Sequence, residues 1–397
     1  MRIATNTIYD QSTNAMSRQQ SLLLKVGSQI SSGKKVNSPS DDPLATSKAL
    51  AISQSASVNE QMKTARVSVR NSLGQEESVL NSVSDALISA KTSLIKGSTG
   101  TLTDADRSSI ATDLQGVLDT ILGQANAADG SGSYLFAGYK TTTPPFVKDA
   151  LGNISYVGDN GVSAQQVDSA RLMSSSDTGD KIFQTVTGTA TMVARAAGGN
   201  TGTATFTTPS IDDTSDPNYR QPFTVVFSDN AGVTQYSVNG APAVNYVPGD
   251  KITANGMSLN ISGQPAVGDT ITVNAGGATD IFASLKSAID ALKAPTSTSA
   301  QQAALANTLN SVANELSNNL DNVLTVRASV GTRLNELDVI DTVGQNRALN
   351  YTQSISDLID LDYDTALSEY SLRQIGLQAS QKAFVDVQSM SLFNYMK

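Results

Sequence analysis

The sequence predicts a mainly α-helical protein with some β-structure: an elongated coiled-coil rod built from the N- and C-terminal segments, with a small β-domain inserted between them. Leucines repeat every seven residues in both halves of the chain, whereas the middle is rich in Thr, Gly, Ser and Val. Only 5% of the 397 residues are aromatic, and Trp, His and Cys are absent. Such a chain builds its core from aliphatic side chains on helices.

Residues 1–32 are predicted to form an amphipathic helix, because Leu22, Val26 and Ile30 recur at intervals of four. The polar stretch ISSGKKVNSPSDDPLA follows from Ile30 onward. Asp42 is suited to cap the next helix and Pro43 to its first position, where a missing N–H has no cost.

The next segment has the sharpest periodicity in the N-terminal half. Leu73, Leu80, Leu87 and Leu94 are seven residues apart, and a second apolar position precedes each by four, with Glu76 as the polar exception. This is the a/d pattern of a coiled coil. The segment KGSTGTLTDADR then predicts a turn, and a third helix should carry Ile110 to Ala125.

The sequence pattern changes near Gly130 from helical periodicity to the alternation typical of strands. The segments SGSYLFAGYKTTTPPF and GNISYVGDNG have the alternation and turn residues of hairpins. FTVVFSDNAG, TQYSVNGAP and DTITVNAGG are typical of short strands with turns. We therefore predict an inserted β-domain at 185–279, a small sandwich or barrel.

Helix should resume near Ile281, pause at KAPTSTSA and then continue without proline for more than fifty residues. A last helix carries Tyr363, Tyr370, Leu377 and Phe384 at intervals of seven. The two terminal helices, lying side by side, would each bury one face, and such a pair is marginal in water. The apolar stripes therefore predict an assembly interface with further partners. Its candidate residues are Leu22, Val26, Ile30, Tyr370, Leu377, Phe384, Leu392 and Phe393.

The residue types argue against enzyme, cofactor and metal chemistry. Without His and Cys the chain lacks the commonest metal ligands and the usual proton shuttle. GSQISSGKK has five residues between its glycines, whereas a phosphate-binding loop has four. After its first Lys it has a second Lys, where the motif requires Ser or Thr. Asp41 and Asp42 fit a helix cap better than a pair of catalytic acids. Asp360, Asp362 and Asp364 alternate, so one helix cannot bring them to one ion.

The charge and hydropathy patterns exclude two further classes of partner. A net charge of −9 predicts no nucleic-acid binding. No run is apolar and long enough for membrane insertion, and the first residues lack the apolar core of a cleaved signal peptide.

Several segments resemble the bacterial flagellin superfamily. QISSGKKVNSPSDDPLATSKAL is similar to the N-terminal signature of flagellins, and VGTRLNEL (330–337) and SISDLIDLDYDTALSEYSLRQIGLQAS (354–380) to its C-terminal counterpart. SGSYLFAGYKTTTPPF and the ending SLFNYM resemble the branch of the superfamily found at the hook–filament junction. The resemblance covers about 1–185 and 280–397.

The resemblance implies a structural component of the bacterial flagellum, a junction ring between hook and filament that supports motility and filament assembly. The implied partners are further copies of the chain, the first hook-associated junction protein, flagellin and an export chaperone. The protein would be extracellular, exported through the flagellar type III channel without a cleaved signal peptide.

The resemblance also implies a domain scheme. Residues 1–42 and 359–397 would form a terminal-helix assembly domain, and 43–184 with 280–358 a helical rod domain with β-hairpins. The polar stretch would be the joint between them. In it Gly33 and Pro39 would make the turn, and Asp42 and Pro43 would restart the helix.

Two other functions stay open at this point. Filament flagellin itself shares most of the signatures, and the segments YLFAGY and SLFNYM argue for the junction branch instead. A secreted adhesin with a β-head on a helical stalk is the other alternative, although a trimeric stalk would not need complementary stripes at both ends of the chain.

Overall fold

The computed structural model describes residues 5–99, 102–185, 192–275 and 279–389, and it confirms the predicted mainly α-helical class with a smaller β-portion. The helices are α1 (Thr5–Ser32), α2 (Pro43–Gly97), α3 (Asp104–Ala125), α4 (Ile281–Lys293), α5 (Ser299–Ile359) and α6 (Tyr363–Ser389).

Two compact units make up the chain, one of residues 1–64 with 340–397 and one of residues 65–339. The divisions fall inside α2 and α5, which therefore contribute to both units. The predicted domain boundaries after residues 42 and 358 fall instead where α2 begins and where α5 ends. The three-part domain scheme stays a prediction.

Local signals account for the helix ends. Thr103 and Asp106 form a reciprocal capping box at the start of α3, which satisfies two backbone donors. Asp280 caps α4 by accepting bonds from the amides of Phe282 and Ala283. That helix ends before Pro295, because the residue preceding a proline is disfavoured in the helical conformation.

The 65–339 unit has a helical core built on the predicted heptad positions. All eight α2 positions, Glu76 included, are fully or almost fully buried. The five positions from Leu80 to Leu94 pack in one cluster with apolar residues of α3, α4 and α5, whose members include Leu114, Ile121, Leu285 and Leu316. The coiled-coil pattern therefore identified the core of this unit.

The segment between α3 and the insert is more irregular than predicted. It contains two hairpins, β1 (Phe146–Lys148) with β2 (Ile154–Tyr156) and β3 (Ala164–Asp168) with β4 (Arg171–Ser174). Of the segment SGSYLFAGYKTTTPPF only the last residue, Phe146, lies in a hairpin strand, where it pairs with Tyr156 of GNISYVGDNG, and turns and bends occupy most of the rest. Gly138 lies there at φ 69° against the backbone of Asp159, and Tyr139 donates its amide to that aspartate at 2.9 Å.

The inserted β-domain forms two antiparallel sheets around its own core. Their strands are β5 (Met192–Ala196), β6 (Thr205–Phe206), β7 (Ser210–Ile211), β8 (Phe223–Asn230), β9 (Val233–Val238), β10 (Val244–Asn245), β11 (Lys251–Ala254), β12 (Met257–Ser262) and β13 (Thr270–Ala275). One sheet has the order β10-β9-β8-β13-β5; the other has β11-β12-β6, with β7 also on β12. Its core includes Phe223, Phe227, Leu259 and Val273. The three predicted strand segments correspond to β8, β9 and β13.

Candidate assembly surface

Helices α1 and α6 pack against each other in opposite directions. The rings of Tyr9 and Phe384 lie 5.3 Å apart at one end of the pair. Towards the other end Gly27 faces Tyr370, whose ring would lie 3.6 Å from a β-carbon added to the glycine. Small residues at such positions let two helices approach closely.

The structure places the predicted interface residues partly inside this pair. Val26 is buried, and the side chains of Leu22, Ile30, Tyr370, Leu377 and Phe384 are half-buried. Leu392 and Phe393 lie outside the described residues. The stripes read from the sequence thus supply much of the contact between α1 and α6.

A different set of apolar side chains faces outward, and sequence reasoning missed it. Leu24 is 67% exposed, and on α6 Leu372 and Ile375 are 67% and 62% exposed. Leu367 and Val385 are more than half exposed as well. The available signal was the consecutive run Leu22 to Leu24, which a single helix face cannot accommodate. The helix pair therefore has apolar side chains on both an inner and an outer side.

The predicted joint, which connects α1 to α2, is hydrogen-bonded to the connection between α5 and α6. Gly33 ends α1 with a left-handed backbone, φ 70°, and its carbonyl accepts a bond of 3.0 Å from the amide of Leu361. The amide of Lys35 donates to the carbonyl of Ile359 at 2.7 Å. Lys34 and Asp360 form an antiparallel bridge between these bonds. The two connections therefore hold each other.

Asp41 organises the loop before α2. Its carboxylate accepts bonds from the amides of Asn37 and Ser38 and lies 3.1 Å from the ammonium of Lys25. The bond from Lys25 is the main reason that the pKa of Asp41 lies below its ordinary value, and the bond from the Ser38 amide acts in the same direction.

The neighbouring residues restart the helix. Asp42 accepts a bond of 2.9 Å from the amide of Ala45 through its side chain, and Pro43 is the first residue of α2. Pro39 is exposed within the turn. The two consecutive aspartates thus have different tasks, one in the loop and one at the helix start.

The aspartates at the C-terminal connection also serve the backbone. Asp362 caps α6 by accepting bonds from the amides of Asp364 and Thr365 at 3.1 and 3.4 Å. In the part of the chain that the structure describes, no three acidic side chains come together as a metal site would require. Nor does any described helix combine the length and hydropathy needed to cross a bilayer.

The segment VGTRLNEL, by contrast, holds the β3–β4 hairpin on α5. Glu336 receives two bonds from the guanidinium of Arg171, at 2.6 and 2.8 Å. Arg333 donates to the carbonyl of Ser174 at 3.3 Å and pairs with Asp177. These charges therefore have a structural use within the 65–339 unit.

Glu76 is completely buried beside this cluster. One of its carboxylate oxygens accepts a bond of 3.2 Å from the amide of Asp177. Burial, reinforced by the negative charge of Asp177, raises the pKa of Glu76 from 4.5 to about 8. The raised pKa favours the neutral, protonated form of Glu76 within the apolar seam.

Comparison with known proteins agrees with this arrangement. The family model described as the bacterial flagellin N-terminal helical region matches residues 3–141. The chain is 36% identical to flagellar hook-associated protein 3 of Escherichia coli K12 over 398 residues, covering 100% of both chains. Its identity to flagellar hook-associated protein 3 of Salmonella typhimurium is 33% over 394 residues, covering 99% of each.

Solved structures of similar proteins share the fold. FlgL of Xanthomonas campestris is 28% identical, with a TM-score of 0.70 over 77% of this chain and 99% of that one. Hook-associated protein 3 of Legionella pneumophila is 26% identical, with a TM-score of 0.71 over 78% and 98%. The expected membership of the junction branch of the flagellin superfamily is thereby confirmed. With this identity over its full length, the chain belongs to the flagellar hook-associated protein 3 family.

Proposed function

We propose that the protein is a structural, non-enzymatic junction component of the bacterial flagellum, connecting the hook to the filament. The observation that carries the proposal is the α1–α6 pair, which keeps Leu24, Leu372 and Ile375 exposed after its inner side is packed. Exposed apolar side chains grouped on a helix pair are typical of a surface that another protein covers. Neighbouring subunits of an axial assembly supply such a cover.

The partners follow from this role. Further copies of the chain would form the ring, the first hook-associated junction protein would lie on the hook side, and flagellin on the filament side. The protein would reach this extracellular position through the flagellar type III channel with the help of an export chaperone. The full-length relatives named above favour this role over that of filament flagellin.

The assembly interface would then have two parts. The inner residues Val26 and Tyr370 hold α1 against α6. They contribute to the interface by positioning the helices, without touching the neighbouring subunit. Leu24, Leu372 and Ile375 touch the neighbouring subunit. The bridged connections at Lys34 and Asp360 set the direction in which the pair leaves the α2 and α5 ends, because backbone hydrogen bonds restrict both connections together.

The test is a double variant, Leu372→Gln with Ile375→Gln. Both side chains are exposed, so the monomer should unfold within about 0.5 kcal/mol of the unchanged protein. In cells that lack the gene, however, the variant should restore few filaments and little swimming. The matched control is Leu151→Gln, a change at the tip of the β1–β2 hairpin where the leucine is 80% exposed.

The control should restore motility, and immuno-electron microscopy should locate it between hook and filament. The proposal is wrong if the double variant is exported and assembles filaments as well as the control does. Spontaneous growth of long filaments from the purified protein would instead favour the filament flagellin alternative.

A further inference from the structure

The inserted β-domain turns two of its sheet edges towards α5. On either side of β6, the amides of Thr203 and Thr207 donate to the carbonyls of Gln264 and Asn260, in and beside the neighbouring strand β12. The alternate backbone groups, on Ala204 and Phe206, face away from the sheet. An edge of this kind carries unpaired donors and acceptors on which another strand can pair.

Side chains of α5 satisfy this outward row of β6. Asn307 accepts a bond of 3.2 Å from the amide of Phe206 and donates one of 2.9 Å to the carbonyl of Ala204. Asn310 donates to the carbonyl of Phe206 at 2.7 Å. A carboxamide offers one acceptor and one donor group side by side, as the peptide group of a neighbouring strand does. Asn307 is only 5% exposed, so these bonds replace water.

Side chains of α5 also bond to β5, the edge strand of the other sheet. The amide of Ala197 bonds to the carbonyl of Thr270 on the neighbouring strand, and the carbonyl of Ala194 faces away. The hydroxyl of Ser311 donates to that carbonyl at 2.7 Å. One turn further along α5, Glu315 accepts a bond of 2.9 Å from the side chain of Arg195 on the same strand.

The opposite edges of the two sheets have protection of their own. Strand β10 is only two residues long and lies between Pro242 and Pro248. Strand β11 carries Lys251, which pairs with Asp212. Short length, proline and lysine are the usual means of preventing edge-to-edge pairing. At β5 and β6, by contrast, side chains of α5 bond to the outward backbone groups.

We propose that the α5 face formed by Asn307, Asn310 and Ser311 is an edge guard that prevents the inserted domain from pairing, strand against strand, with a second copy of this chain. Within the monomer the guard bonds to the Ala194 carbonyl of β5 and to the outward backbone groups of Ala204 and Phe206. A second copy of the chain carries the same two edges. In a concentrated solution of the protein it is therefore the strand-bearing partner that β5 and β6 meet.

The test is the triple variant Asn307→Ala, Asn310→Ala, Ser311→Ala in the full chain. Loss of the bonds to a buried edge should speed hydrogen exchange at the Phe206 amide about tenfold. Size-exclusion chromatography with light scattering should then show dimers and larger species that increase with concentration. The control Asn350→Ala changes an exposed asparagine of the same helix and should remain monomeric with unchanged exchange.

Two results would overturn the proposal. Unchanged exchange at Phe206 would show that the side chains of α5 do not protect the edge. Faster exchange in a protein that stays monomeric would show that the contact docks the domain without guarding it. If the triple variant loses its helical circular dichroism, Asn307→Ala alone provides the same two measurements, because it removes the acceptor of the Phe206 amide.

Discussion

Gly33 combines a left-handed backbone with a close neighbour. Its φ is 70°, and a β-carbon added to it would lie 3.1 Å from the hydroxyl of Tyr363. The left-handed conformation costs a residue with a side chain about 1–2 kcal/mol. We therefore expect Gly33→Ala to lower the free energy of unfolding by about that amount in urea titrations.

The matched control is Gly74→Ala. Gly74 lies inside α2, and nothing is within 4 Å of the β-carbon that would be added. Alanine favours a helix interior by about 1 kcal/mol over glycine, so this variant should be more stable than the unchanged protein. Equal shifts of the same sign in both variants would contradict the role of Gly33 as a required left-handed residue.

Glu76 should make stability depend on pH. In the unfolded chain its pKa is the ordinary 4.5, whereas in the folded protein it is about 8, because burial disfavours the carboxylate. The folded state thus binds more protons between these values, and its stability falls as pH rises through this window. The Glu76→Gln variant should lack this pH-dependent part of the free energy of unfolding.

Urea titrations at about pH 5, 6.5 and 8 would measure the effect, because they span the linkage window. The unchanged protein should lose stability relative to Glu76→Gln as the pH rises. The control is Glu77→Gln, at the half-buried neighbour that pairs with Arg327. Parallel curves for the unchanged protein and Glu76→Gln would show that Glu76 titrates normally.

Helix α2 illustrates how one element divides its apolar side chains between core and solvent. Leu80 is fully buried in the heptad seam, whereas Ile88, on another face of the same helix, is 52% exposed. Leu80→Ala should lower the free energy of unfolding by about 2–5 kcal/mol, because it removes buried surface and leaves a cavity.

Ile88→Ala should change the free energy of unfolding by only about 0.5 kcal/mol. Thermal and urea unfolding followed by circular dichroism would compare the two variants. Similar losses would mean that the heptad seam is not the main packing surface of α2.

The inserted domain as a whole should be removable. Its two ends meet, since the side chain of Gln184 donates to Asp280 at 2.9 Å. The α5 residues that bond to it include Asn307, Asn310 and Ser311, so removal of the insert exposes polar groups that water can bond to. We therefore expect a short Gly/Ser linker in place of 186–278 to preserve most of the helical circular dichroism.

The melting temperature of this shortened chain should stay near that of the helices in the full protein. A chain of the same composition with the linker inserted within α4, after Ala288, is a suitable control, because it interrupts a buried helix of the core. Loss of most helical signal in the shortened chain would show that the helices need the insert.

Local chemistry made much of this architecture readable from the sequence alone. The heptad leucines of α2, the Asp42–Pro43 helix start and the strands β8, β9 and β13 each depend on residues close together in the chain, so periodicity and turn chemistry identify them. The same holds for the apolar stripes of the terminal helices, which are visible at Val26 and Leu377.

Other features depend on contacts between residues far apart in sequence. Periodicity assigns Asn307 and Ser311 to the solvent face of α5, because nothing near them reveals that strand edges more than 100 residues earlier cover them. Likewise, the pKa of Glu76 is raised because folding buries its carboxyl group, and Asp177, which folding brings beside it, adds to the effect. Which leucines of α1 and α6 face outward was decided by packing between the two helices, since an apolar stripe does not specify its partner.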